Sequence, residues 1–195
     1  MSRTAKISRQ TAETRVELTL DVDGAGEGVR ETGVGFFDHL LDAVARHGGL
    51  DLDLQVQGDL ETGPHHTVED AGLALGQAVD EALGDRSGIT RFGDAVVPMD
   101  EARAFCAIDV SGRPFAVFEG VFPAERVGDF DTDLAEEFFR AVANTAKLTV
   151  HVRVEAGTNA HHMVEASFKA FARAFRQAVA LDDRVGGVPS TKGVL

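Results

Sequence analysis

Positive charge is scarce in this chain of 195 residues: Lys and Arg number 19 against 32 Asp and Glu, for a net charge of −13. A field of that sign repels nucleic-acid phosphates, and no basic run interleaves with aromatic residues, so nucleic-acid recognition is excluded as a function class. Cysteine is scarcer still. Cys106, in the apolar run Ala104-Phe105-Cys106-Ala107-Ile108, is the single thiol. It can form no internal disulfide, which fits a reducing compartment, and it reads as a buried, inert group. No apolar run approaches the ~20 residues that span a bilayer, and Met1 to Lys6 has no apolar stretch behind it, so the expectation is a cytoplasmic protein without a membrane partner. There is also no Gly-x-x-x-x-Gly-Lys, which leaves a nucleoside triphosphate site without support.

What is present is the composition of a globular protein, 44% hydrophobic and 26% charged. Val16 to Val22 and Leu50 to Gln57 alternate apolar and polar residues with the period of half-buried strands. Phe36 to His47 places Phe36, Phe37, Leu40, Leu41 and Val44 on one helical stripe that Gly48-Gly49 ends, and a second helix runs from about His65 to Leu83. Gly84-Asp85-Arg86-Ser87-Gly88 breaks the chain. Beyond it Ala95 to Met99, Ala102 to Val110 and Phe115 to Phe122 read as strands, with Ser111-Gly112-Arg113-Pro114 as a tight hairpin turn. A helix over Leu134 to Ala143, a strand over Leu148 to Glu155 and a helix from His161 to about Leu181 follow.

The second half repeats the first. Leu50-Asp51-Leu52-Asp53-Leu54-Gln55-Val56 matches Leu148-Thr149-Val150-His151-Val152-Arg153-Val154 at an offset of 98, which also lays Asp38-His39 on Glu136-Glu137. The order predicts an α+β fold by internal duplication of two similar lobes, 1–88 and 89–185, each a mainly antiparallel sheet backed by two helices. Residues 186–195 read as a C-terminal tail.

At corresponding places in the repeat stand two copies of His-His-x-x-Glu: His65-His66-Thr67-Val68-Glu69 and His161-His162-Met163-Val164-Glu165. On a helix, residues four apart share a face, so His65 with Glu69 and His161 with Glu165 can each offer imidazole and carboxylate to one ion. His66 and His162 are rotated by about 100° and suit a second ion. Imidazole with carboxylate is the donor set of Mn, Fe, Ni and Zn sites. One hypothesis pairs the His and Glu of one box with the neighbouring His of the other; a further subunit is the alternative source. His39, polar beside an apolar stripe, is the first candidate for an additional ligand, and its repeat mate Glu137 is the second. His151 reads as a sheet-surface histidine, and His47 as a cation at a helix C-terminus.

The few cations gather near turns: Arg91, Arg113, Lys169 and Lys192, the last within Ser190-Thr191-Lys192-Gly193. Backbone N–H groups, hydroxyls and ammonium together suit a phosphate.

These segments resemble the imidazoleglycerol-phosphate dehydratases. The likeness runs through Phe36-Phe37-Asp38-His39-Leu40-Leu41, His65-His66-Thr67-Val68-Glu69-Asp70 and Arg91-Phe92-Gly93-Asp94-Ala95. It continues through Asp109-Val110-Ser111-Gly112-Arg113-Pro114, His161-His162-Met163-Val164-Glu165-Ala166, Phe168-Lys169-Ala170-Phe171-Ala172-Arg173-Ala174 and Pro189-Ser190-Thr191-Lys192-Gly193. The resemblance implies a ribosomal protein S5 domain 2-like fold and a dehydratase that converts imidazoleglycerol phosphate to imidazole acetol phosphate and water in histidine biosynthesis. It implies Mn2+, two ions per active site, holding the substrate ring in an imidazolate-like form that expels the side-chain hydroxyl. The implied metal ligands are His39, His65, His66, Glu69, His161, His162 and Glu165. Glu137 stands where the family carries a histidine, and a carboxylate can serve a hard ion. The implied catalytic carboxylates are Glu13, Glu69 and Glu165. Glu13 also contacts substrate, together with Arg91, Arg113, Lys169, Ser190 and Lys192 on the phosphate side. A homo-oligomeric cage of 24 subunits with active sites at subunit interfaces is implied as well. Two other readings fit the same residues: a different metal-dependent enzyme on a phosphorylated small molecule, or a non-catalytic metal-binding cage protein.

Overall fold

The structure, a computed structural model, describes residues 3–195. In chain order it contains β1 (Thr4–Gln10), β2 (Thr14–Asp21), β3 (Arg30–Glu31), α1 (Gly35–Gly48), β4 (Asp51–Gly58), α2 (His65–Leu83), β5 (Phe92–Met99) and β6 (Ala102–Asp109). Then come β7 (Phe115–Glu119), β8 (Arg126–Val127), β9 (Phe130–Asp131), α3 (Leu134–Ala146), β10 (Thr149–Ala156) and α4 (Ala160–Val179). The duplication appears as two four-stranded sheets of one topology, β1-β2-β4-β3 and β5-β6-β10-β7. In each, three strands are antiparallel and the last lies parallel to its neighbour.

Alternation sets the buried faces. Val16, Leu18 and Leu20 of β2 stand opposite Val56, Leu54 and Leu52 of β4, all on the buried side. In the second sheet Cys106 opposes Val152, and Ile108 opposes Val150. Cys106 is fully buried, and burial pushes its thiol well above the ordinary range, so it is the inert group expected. β1 lay hidden in the sequence because Thr4 to Gln10 turns only Ala5 and Ile7 inward, as an edge strand can. The hairpin expected at Ser111 to Pro114 is not one: β10 inserts between β6 and β7, pairing antiparallel with the first and parallel with the second. The alternating pattern of two successive strands carries no information about a third that enters later between them.

The box helices cover the sheets, α2 against β1, β2 and β4, and α4 against β5, β6 and β10. The helices then pack across the repeat, α2 on α3 and α1 on α4. The core is thereby continuous through both halves. The α2–α3 contact depends on missing side chains. A Cβ on Gly76 would stand 2.2 Å from Thr145 Oγ1 and 2.5 Å from the Val142 carbonyl oxygen. Gly76→Ala is therefore expected to destabilise the protein by about 1–3 kcal/mol through overpacking, although alanine is the better helix former by about 1 kcal/mol. Thermal denaturation checks this, and a melting temperature at or above the native value would show that the two helices have room.

Candidate metal centre

Because α1 crosses α4, His39 of the first half meets the second box. His39 Nε2 lies 3.1 Å and His161 Nε2 3.0 Å from the same oxygen, Glu165 Oε2. The three ligand atoms fall within 4.8 Å of one another. The other oxygen, Oε1, takes Lys169 Nζ at 2.6 Å. Glu165 is buried, its side chain only 6% exposed, while His39 and His161 reach solvent. Burial would raise the Glu165 carboxyl, but Lys169 first and His39 next hold it down to about 2, so it is an anion at neutral pH. Two imidazoles and an ionised carboxylate, open on one side, fit a divalent transition metal.

The surroundings fix these side chains. The Asn159 side chain accepts the backbone N–H of His161 at 3.0 Å and so caps α4 where the box begins. The Phe36 ring lies 4.7 Å from the His161 ring. Beside His39, Asp38 Oδ1 accepts from the Thr32 N–H and hydroxyl at 2.8 and 2.7 Å. The start of α1 has no cap of its own. Asp129, from the β8–β9 turn, instead accepts the N–H groups of Gly35 at 2.8 Å and Phe36 at 3.3 Å. Sequence reasoning missed Asp129, since its partners lie more than ninety residues away; the one trace was Asp129 following the turn residue Gly128.

The first box assembles less. His65 Nε2 is 3.7 Å from Glu69 Oε2, and both side chains are largely exposed. Glu137, at the position corresponding to His39, is 2.7 Å from Arg140. Where the second box has Lys169 four residues past its glutamate, the first has Leu73. Among the described residues His39, His161 and Glu165 form the only group of three such ligands, and it contains no residue of the first box. His66 and His162 each turn Nδ1 to a carboxylate instead, Asp59 at 3.0 Å and Glu101 at 2.8 Å. Glu101 is held down to about 2, first by His162 and then by the N–H groups of Thr158 and Asn159.

The remaining residues occupy three places. Glu13, in the exposed β1–β2 turn, comes within 3.7 Å of His66 Nε2. Arg91 binds Asp109 at 2.7 Å and donates to the Pro189 carbonyl at 2.9 Å, which draws in the tail that carries Ser190 and Lys192. That tail ends with Leu195 against Gly112, next to Arg113. Lys169 alone of the phosphate-side candidates touches the triad, through Glu165. His151 lies on the exposed face of β10, a sheet-surface residue. At the end of α1, burial first, then Lys169 and Arg173, lower the pKa of His47, which disfavours its cationic form there.

Asp129→Ala is expected to cost about 0.5–2 kcal/mol, the worth of a helix cap, and to weaken any divalent-cation binding at the triad severalfold because it frees the turn that presents His39. Calorimetric melting and a Mn2+ titration followed by electron paramagnetic resonance test the two parts; native affinity in the variant would show that Asp129 does not set the site.

The family model for imidazoleglycerol-phosphate dehydratase matches residues 32–175. A protein of that name from Symbiobacterium thermophilum is 57% identical over 193 residues, covering 99% of this chain and 93% of the relative. One from Moorella thermoacetica is 55% identical over the full length of both. Among solved structures, the imidazoleglycerol-phosphate dehydratase of Staphylococcus aureus superposes with a TM-score of 0.84 at 38% identity, covering 92% of this chain and 99% of that one. That of Pyrococcus furiosus, solved with a bound compound, gives 0.84 at 35% identity over 97% of this chain and all of the other. By sequence and by fold alike, the chain belongs to the imidazoleglycerol-phosphate dehydratase family.

Proposed function

We propose that the protein is a manganese-dependent hydro-lyase that removes water from imidazoleglycerol phosphate to give imidazole acetol phosphate, a step of histidine biosynthesis. The observation that carries the metal part of this reading is the triad of His39, His161 and Glu165, three ligand atoms within 4.8 Å around a carboxylate that is ionised while buried. In the same reading His65, His66, Glu69, His162 and Glu137 serve further Mn2+ coordination, with two ions per active site. When bound, the cations stabilise negative charge that develops on the substrate's imidazole ring.

The chain's own residues supply the rest. Losing water requires one proton taken from carbon and one delivered to the departing hydroxyl. Glu13, exposed in its turn, is the proposed acid–base group. Arg91, Arg113, Lys169, Ser190 and Lys192 are proposed to hold the phosphate, with charge-assisted hydrogen bonds that fix the side chain relative to the ring.

One distance supports an active site shared between chains. Arg91 donates its backbone N–H to Ala178, near the end of α4, whereas His161 is in the first turn of that helix. Seventeen residues at 1.5 Å each separate them by roughly 25 Å, too far for one small substrate to touch both in one chain. A second copy that brings its Arg91 and tail to this triad resolves the mismatch, and the 24-subunit cage of the reading provides such copies.

Assay decides among the rival readings. Mn2+-dependent formation of a ketone from imidazoleglycerol phosphate is expected; release of inorganic phosphate without a ketone would point to a hydrolase, and neither product to a metal-binding cage. Lys192→Ala is expected to raise KM about 10- to 100-fold while the assembled mass stays native, as loss of one charge-assisted bond to phosphate would do. Metal analysis is expected to find about two ions per chain, the second held more weakly because Glu137 is engaged by Arg140. Glu137→His should tighten that second ion, and a single ion in both proteins would contradict a two-metal site.

A further inference from the structure

We propose that Asp59 and Glu101 are positioning residues, each gripping one box imidazole by Nδ1 so that its Nε2 faces outward to a cation completed by another copy of the chain. The inference rests on the reading above that His66 and His162 are metal ligands.

The chemistry begins with the carboxylates, which when ionised only accept hydrogen bonds. A ring nitrogen 3.0 Å from Asp59 Oδ1, or 2.8 Å from Glu101 Oε2, must therefore carry a hydrogen, and in the neutral ring the lone pair then lies on Nε2. Those outward nitrogens are not spent on protein: His66 Nε2 is 3.7 Å from Glu13 and His162 Nε2 is 3.7 Å from Asp100, beyond hydrogen-bond reach. Carboxylate on one nitrogen and metal on the other is how proteins orient a ligating histidine and raise its basicity.

The two grips arise at different places in the repeat. Asp59 directly follows β4, and its counterpart after β10 is Gly157; Glu101 sits in the β5–β6 turn, and its counterpart in the β1–β2 turn, at an offset of 88, is Glu13. A bond inherited from the duplicated ancestor would use matching positions. The grip on Nδ1 instead comes from different segments in the two halves, the β4–α2 connection in the first and the β5–β6 turn in the second, while Glu13, the counterpart of Glu101, approaches His66 from the Nε2 side. Each carboxylate is itself held. Asp59 Oδ2 accepts from the Thr62 hydroxyl at 3.1 Å, and Glu101 Oε1 accepts the N–H groups of Thr158 at 3.0 Å and Asn159 at 2.8 Å. Glu101 thus holds both Asn159, the residue that caps α4, and the ring of His162 three residues later.

The test is E101Q in the full-length, assembled protein. Its amide oxygen keeps the bonds to Thr158 and Asn159, while its NH2 faces Nδ1 and forces the ring hydrogen onto Nε2, where it blocks ligation. Mn2+ titration should show one class of site weakened about 10- to 100-fold. The metal-free melting temperature should stay within about 2 °C. D59N repeats the test in the first half and decides the matter if E101Q fails to fold. H66A and H162A serve as references. Loss of metal in these two with native affinity in E101Q and D59N would overturn the proposal. Native metal content in H66A and H162A would instead overturn the reading of these histidines as ligands.

Discussion

Each sheet of this molecule has one apolar face, and covering both faces forces the two halves together. The box helix of each half covers its own sheet but still carries apolar residues on its far side. Those residues find cover only across the repeat. The chain has thirteen Phe and neither Trp nor Tyr, so its aromatic core carries no polar atom that needs a partner. Phe37 of α1 meets Phe138 of α3 with ring centroids 5.5 Å apart, and Phe138 stacks on Phe168 of α4 at 5.0 Å. Each buried phenyl contributes about 1.5–3 kcal/mol, so this junction is a large share of what holds the halves together. The same junction lays α1 across α4, and with it His39 over His161 and Glu165. Candidate ligands from both halves meet because the core demands that their helices meet.

The duplication was legible because period and order survive when residues change. Strands β2, β4, β6 and β10 and all four helices follow from alternation or an apolar stripe, and His39 stood out as polar beside one. What escaped was non-local. Nothing in Thr4 to Gln10 announces an edge strand that leans on β2, and nothing near Ser111 shows that β10 will part β6 from β7. Asp59, Glu101 and Asp129 are ordinary loop carboxylates in sequence. They matter because folding brings each to a box histidine or to a helix start that has no partner of its own.

The repeat also misleads where it implies equivalence. At the packing level, α2 meets α3 through Gly72 and Gly76, close enough that a Cβ on either would collide. At the site level, Glu137 replaces His39 and turns to Arg140, while Leu73 replaces Lys169. Aligning the boxes finds the candidate ligands, but only their neighbours show that one set is assembled within the chain and the other is not.

Those neighbours answer a single electrostatic problem in two ways. A carboxylate binds a cation as an anion, yet burial disfavours the anion. Glu69 avoids the conflict by remaining in water, with 44% of its side chain exposed. Glu165 is buried, and the ammonium of Lys169 supplies the compensation that solvent cannot. The cleft beside it is lined by Arg30, Arg46 and Lys169 against Asp42 and Glu165, so it is close to balanced although the chain carries −13. Ionic screening over about 8–10 Å limits how far the distant acidic surface acts on these near pairs. An acidic protein can therefore keep a buried carboxylate ionised, provided that one of its few cations stands where Lys169 does.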